Sequence, residues 1–278
     1  MVFLEIILAF AAAFLVGSLP SAYIFTVLFA PGKDLKQEGT GNVGTENAWL
    51  VAGPAAGLLT GLFDFTKGGL VITAAHLILG WSFQEDLVKL LSLSVFVVLG
   101  HDYPPWLRFK GGLGFAVITS TILYFSFLTW FAGSILLVIT LFILDTPRKL
   151  GAQHFIAWLS IPVSSVLFLI QNGRGWRILS FGFPNLLGQP VENHRVLFWF
   201  CLVWLLMYTI QRSRYRGFWE DVKAGIPLWR ALWLRALFEA FPVESTWRGP
   251  DPDRLQLTDE AMFSRKKAPK GEKPGHQP

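Results

Sequence analysis

Long apolar runs, broken by short polar or glycine-rich stretches, dominate the chain as far as about position 210. Residues 2–29 are apolar apart from Glu5 and a few small polar side chains. That exceeds the roughly 20 residues needed to cross a bilayer core. Gly17-Ser18-Leu19-Pro20-Ser21 interrupts the run; proline frees a backbone carbonyl, and small residues admit a neighbouring helix or a head group. Residues 48–63 and 68–83 are apolar around Asp64 and Lys67, whose i,i+3 spacing puts them on one helical face. Charges are costly in hydrocarbon, so these two are expected at the interface, facing the bundle interior, or paired. Gln84-Glu85-Asp86 makes a polar turn before the run 87–100.

Residues 115–144 are thirty nearly uncharged positions, long for one span and short for two. Lysine and arginine favour the cytoplasmic side and so decide the count. Two spans place Lys33, Lys36, Arg108, Lys110, Arg148, Lys149, Arg212, Arg214 and Arg216 together, nine against Arg174, Arg177 and Arg195. One span splits the same residues seven to five. The pattern therefore predicts an all-α integral membrane protein of about seven transmembrane helices, near 2–29, 52–83, 87–101, 114–129, 130–145, 152–170 and 196–210. The N-terminus lies outside and the C-terminus in the cytoplasm. Residues 1–210 form the membrane domain. Tryptophan, leucine and spaced arginines over 211–244 suit a basic amphipathic segment in the interface, and the Pro-, Lys- and Gly-rich 245–278 is expected to be disordered.

Composition agrees: of 278 residues 53% are hydrophobic and 15% charged, which is not a soluble domain of that length. The first apolar run is long and lacks a basic leader, so it reads as a span rather than a cleaved signal. A net charge of +5 without a basic patch interleaved with aromatics speaks for membrane and phosphate contacts rather than nucleic acid. The single Cys201 gives neither a disulfide framework nor metal-ligand spacing.

Two polar stretches carry the chemistry. Gly39-Thr40-Gly41-Asn42-Val43-Gly44-Thr45-Glu46-Asn47 follows Lys33 and Lys36. Its glycines permit backbone angles closed to other residues, so successive N–H groups can converge on an anion. No Gly-Lys-Ser/Thr follows, which excludes a nucleotide P-loop. The second stretch, from Gly100-His101 through Pro104-Pro105 to Arg108-Phe109-Lys110-Gly111-Gly112-Leu113-Gly114, is also glycine-rich and basic. The predicted topology puts both on the cytoplasmic side.

These residues resemble the bacterial membrane acyltransferases that use acyl phosphate to acylate glycerol 3-phosphate, often called PlsY. The likeness is carried by Gly17-Ser18-Leu19-Pro20, Asp34-Leu35-Lys36, the Gly39–Asn47 stretch, Asp64-x-x-Lys67-Gly68, Gly100-His101-x-x-Pro104 and Phe109-Lys110-Gly111-Gly112-x-Gly114. The family's arginine closing the first motif is Leu50 here, and the second lysine of the second motif is Leu113. At its third motif, Tyr215 and Phe218 stand at the His and Asn positions in a register anchored on Gly225. The resemblance implies a membrane acyltransferase making lysophosphatidate for phospholipid synthesis, with acyl phosphate, glycerol 3-phosphate and membrane lipid as partners. It implies Thr40, Asn42, His101 and Lys110 as catalytic residues. Lys36, Gly39, Gly41, Gly44, Asn47, Asp64, Lys67, Gly111, Gly112 and Gly114 would hold substrate or phosphate. No metal, cofactor or acyl-enzyme is expected, and substrate phosphate itself can take the proton. The leucines at 50 and 113 keep open two alternatives: a catalytically impaired homologue that binds acyl phosphate or lipid phosphate, and an acyltransferase with a different acceptor.

Overall fold

The computed structural model describes residues 2–39, 41–127, 130–131, 134–135, 161–167, 169–170, 182–188, 191, 193–212, 222–223, 225–229 and 231. Among them every regular element is helical: α1 (Val2–Ser18), α2 (Ser21–Phe29), α3 (Thr45–Ala52), α4 (Pro54–Leu79), α5 (Leu87–Asp102), a 3-10 turn at Pro105–Leu107, α6 (Phe115–Phe125), the short α7 (Phe183–Leu186) and α8 (His194–Arg212). Four stretches are long and apolar enough to cross a membrane: Val2–Phe29, Pro54–Leu79, Leu87–Leu107 and His194–Gln211, of 28, 26, 21 and 18 residues. The expected spans at 130–145 and 152–170 fall largely outside the described residues, as do the basic segment, the tail, Thr40, Tyr215 and Phe218.

The helix boundaries follow from a few residues. Pro20 divides the first run into α1 and α2 because it has no N–H to continue the ladder. The span expected from 52 begins at Pro54: Gly53, at φ 91°, ends the separate α3, and Pro54 opens α4, whose first turn needs no proline N–H. Gly80, left-handed at φ 69°, stops α4 short of the expected 83. The helix expected over 114–129 ends at Phe125, where Ser126 turns extended.

Helix α4 turns polar as well as apolar residues inward: Thr60, Asp64 and Lys67 are buried along with Ile72 and Ala75 of the main hydrophobic core, whereas Leu58, Leu62, Leu70 and Leu77 lie exposed on the outer side. In hydrocarbon, helices gain little from hiding leucine and associate through close packing and polar contacts. Where α1 crosses α5, Phe10 stacks on Phe96 with centroids 4.6 Å apart. The backbones touch through glycine: a Cβ on Gly17 would strike the Val97 carbonyl, and one on Gly100 the Phe14 carbonyl. Gly100→Ala is therefore expected to force the two helices apart at a cost of about 1–3 kcal/mol, the usual scale for overpacking. A lowered midpoint of thermal unfolding in detergent, with unchanged helix content, is the check. At the end of the bundle where α4 hands over to α5, Trp81 donates its indole N–H to Glu5 of α1 at 2.9 Å and is capped by Lys89, 5.5 Å from the ring. This cluster lies at the opposite end of α5 from His101 and its glycine loop.

Candidate active site

The first glycine loop is built around a buried amide. Asn47, in the first turn of α3, is fully buried, and its Nδ2 donates to the carbonyls of Leu35 (2.7 Å), Asn42 (2.8 Å) and Glu38 (3.2 Å). Gly39 and Gly41, at φ 60° and 72°, let the chain turn round it. A Cβ on Gly39 would collide with Asn47 Oδ1. Leu35 and Val43 pack with Ala22 and Ala48 in a small apolar cluster that also takes in Leu107 of the second loop. Asp34 accepts from Tyr23 Oη (3.0 Å) and the Lys36 N–H (2.9 Å). That N–H, more than any other group, holds the Asp34 carboxyl below its ordinary range. Glu38 is likewise lowered, chiefly by its hydrogen bond from Lys33 at 2.6 Å.

The second loop closes back on the end of α5. The Gly111 and Gly112 N–H groups donate to the carbonyls of Asp102 (3.0 Å) and His101 (3.2 Å), as the Gly41 N–H does to Glu38 (3.2 Å). These three amides are thus committed within the loops. The glycines at 111 and 112 serve close approach: a Cβ on Gly111 would meet the His101 carbonyl, and one on Gly112 the His101 Nε2. Arg108 and Phe109 are both left-handed, at φ 55° and 59°, unusual for residues with side chains. Three N–H bonds, from Arg108 to Pro105, Phe109 to Pro104 and Lys110 to Leu107, maintain that conformation.

Lys36 joins the loops by donating from Nζ to the Leu107 carbonyl at 3.1 Å. Lys36→Met should leave the fold intact and speed amide exchange several-fold over 33–44 and 104–112, read by hydrogen–deuterium exchange. Equal protection in the variant would show that the apolar cluster holds the loops unaided.

Between the loops and the α1–α2 break opens a small, partly open cleft. Its walls come from Ser18 to Ala22, from Val43, and from His101, Pro104, Leu107, Gly111 and Gly112. Of the expected site residues, His101, Gly111 and Gly112 line it directly. Lys36, Gly39, Gly41, Asn42, Gly44 and Asn47 belong to the loop that supplies Val43, and Gly114 caps α6 at φ 71°. Lys110, the residue before Gly111 in the chain, is exposed and not part of the lining. Asp64 and Lys67 lie buried below, paired at 2.8 Å with both side chains 2% exposed. Lys67 also donates to the carbonyls of Leu19 (2.8 Å) and Gly17 (3.2 Å), which the proline break leaves without helical donors. Ser21 was not among the expected site residues. It lines the cleft and donates to Asp64 Oδ1 at 2.6 Å. Its only signal in the sequence is its place directly after Pro20, at the start of a new helix.

The family profile described as glycerol-3-phosphate acyltransferase matches residues 7–216. A glycerol-3-phosphate acyltransferase of Streptococcus mutans serotype c is 39% identical over 123 residues, covering 44% of this chain and 55% of the relative. One from Cereibacter sphaeroides is 35% identical over 136 residues, covering 46% and 61%. The chain thus spans somewhat more than half the length of these curated relatives. The crystal structure of PlsY, an integral membrane glycerol 3-phosphate acyltransferase in its glycerol 3-phosphate form, superposes with a TM-score of 0.55 at 21% identity. The match covers 80% of this chain and 94% of that one, a likeness of fold.

Proposed function

The chain belongs to the glycerol-3-phosphate acyltransferase family, and we propose that it moves an acyl chain from acyl phosphate to a hydroxyl of glycerol 3-phosphate, giving lysophosphatidate. It is an all-helical, multi-pass integral membrane protein. The single observation that carries the functional reading is the cleft. Both glycine loops and the α1–α2 break meet there around His101, although they lie far apart in sequence. Its lining of hydroxyls, glycine backbone and an imidazole suits a small polar substrate, with the acyl chain left in the bilayer.

In this reading the acceptor hydroxyl attacks the acyl carbonyl, the new ester C–O bond forms, and the bond to phosphate breaks to release inorganic phosphate. The hydroxyl proton leaves through His101 or the departing phosphate. Lys110 would balance phosphate charge, Thr40 and Asn42 would donate hydrogen bonds to the phosphate, and Gly111 and Gly112 would keep the backbone tight against His101 at the cleft wall. Lys36, Asn47, Gly39, Gly41, Gly44 and Gly114 would hold the loops in shape. Asp64 and Lys67 would fix the floor. The topology that fits has seven spans, the N-terminus outside, and the loops and C-terminus on the cytoplasmic side of the cell membrane. The membrane domain would occupy 1–210, an interfacial segment 211–244 and a disordered tail 245–278.

A second reading is favoured by Leu113, which packs half-buried against the hydrophobic core where the family pattern has lysine. Fewer cations would suit an acceptor without phosphate, or a homologue that binds without turnover. Phosphate release by the full chain in lipid vesicles, given acyl phosphate with and without glycerol 3-phosphate, separates these. Release that needs glycerol 3-phosphate and is lost in Gly41→Val supports the acyltransferase. Release without it points to another acceptor or to hydrolysis, and binding with no release to the non-catalytic homologue.

A further inference from the structure

The turn that follows α5 has two faces. On the inner one Pro104 is buried, and Leu107 lines the cleft and joins the small apolar cluster of the first loop. Trp106 and Phe109 make the outer one, 59% and 57% exposed, with exposed Arg108 and Lys110 on either side of Phe109. No acidic residue stands between Tyr103 and Gly114. Arg108 and Phe109 hold left-handed angles, φ 55° and 59°, which cost free energy for any residue with a Cβ. Such backbone is kept where function requires it, and here it accompanies two side chains turned away from the protein.

The level of this turn in the bilayer follows from the span before it. Leu87–Leu107 has 21 residues, about 30 Å as a helix, which is the thickness of the hydrocarbon core. Its last residues therefore emerge among the head groups, and non-helical backbone open to lipid is not tolerated deeper than that. Trp106 is fixed at this level: its indole N–H donates at 3.0 Å to Oγ of Ser18, the last residue of α1, whose own proton goes to the Leu15 carbonyl at 2.8 Å. We propose that Trp106, Arg108 and Phe109 form a docking surface for the anionic phospholipids of the adjoining leaflet. The indole suits the interface, the Phe109 ring reaches the start of the acyl chains, and the Arg108 guanidinium forks onto a lipid phosphate. Exposed leucines such as Leu62 and Leu70 take any lipid, whereas cations at head-group level select anionic ones. Pro104 and Leu107 on the inner face put the bound lipid directly behind the cleft wall, and the surface stands whether or not the cleft carries acyl transfer.

Cys201 is the chain's single cysteine and is buried, so a thiol-reactive fluorophore on Phe109→Cys reports on this turn alone. The labelled full chain is placed in vesicles of phosphatidylcholine and phosphatidylglycerol in equal parts, with bromine on the chains of one lipid or of the other. Quenching is expected to be stronger when phosphatidylglycerol carries the bromine. Arg108→Gln, added to the labelled chain, should lower that preference about fivefold, the effect of one cation beside an anionic surface. Equal quenching by the two lipids, quenching by neither, or a preference unmoved by Arg108→Gln overturns the proposal. Native mass spectrometry of the unlabelled chain and of its Arg108→Gln variant, released from the same lipid mixture, keeps the test open should the labelled variant misfold. The native chain is expected to retain more phosphatidylglycerol than the variant, and equal retention overturns the proposal.

Discussion

Replacing Lys67 by methionine is expected to destabilise the bundle by about 3–5 kcal/mol and to lower its thermal midpoint on the order of 10 °C. Lys67 is 1% exposed and carries three contacts: the Asp64 carboxylate and the carbonyls of Leu19 and Gly17. Methionine fills similar volume but leaves a buried anion unpaired and removes the donor of the Gly17 carbonyl, while the Leu19 carbonyl keeps only the Ser21 N–H. The dominant cost is the uncompensated charge, since breaking a buried pair is far more damaging than replacing it entirely. A second substitution, Asp64→Asn, should therefore recover much of the loss. Thermal unfolding of the wild-type, single and double variants measures the coupling. A single variant within a degree or two of the native midpoint would show that water reaches the pair.

The second large effect is expected at Asn47. Asn47→Asp places carboxylate oxygens where three backbone carbonyls now receive an amide N–H. Each buried acceptor left unsatisfied costs about 1–3 kcal/mol, and oxygen–oxygen repulsion adds to that. The damage should be local, because the loop contributes only a small apolar cluster apart from the main core. Limited proteolysis between residues 33 and 44 should accelerate strongly while helix content holds. Calorimetric titration should find binding of glycerol 3-phosphate lost. An intact, protease-resistant loop in Asn47→Asp would assign the loop's shape to its apolar contacts instead.

Sequence and structure divide the site between them in an instructive way. The i,i+3 spacing of Asp64 and Lys67 makes a pair or an interior position legible from the sequence, and the structure has both at once. The proline interruption is legible too, but its consequence is not. Two carbonyls freed by Pro20 are capped by a lysine 47 residues further on, which nothing local to either segment reveals. The glycines mark both loops as backbone that takes angles closed to other residues, and Gly39 and Gly41 are left-handed. Yet Gly111 and Gly112 donate their N–H groups to the end of α5 rather than leaving them for an anion. That difference depends on where the chain folds back, not on the glycines themselves.

The sequence alone determined the class of protein and its punctuation. Apolar run length decides membrane helices because the bilayer imposes a fixed thickness, and proline and glycine decide where helices stop because their limits are local and covalent. Only the tertiary structure decided which polar groups meet. Asn47 could as well have faced a ligand as its own loop, and Ser21 could have been a plain helix start. Such roles are set by the partner that reaches a buried polar atom first, and here those partners come from other helices and loops, brought together by packing at Gly17, Gly100 and Gly112.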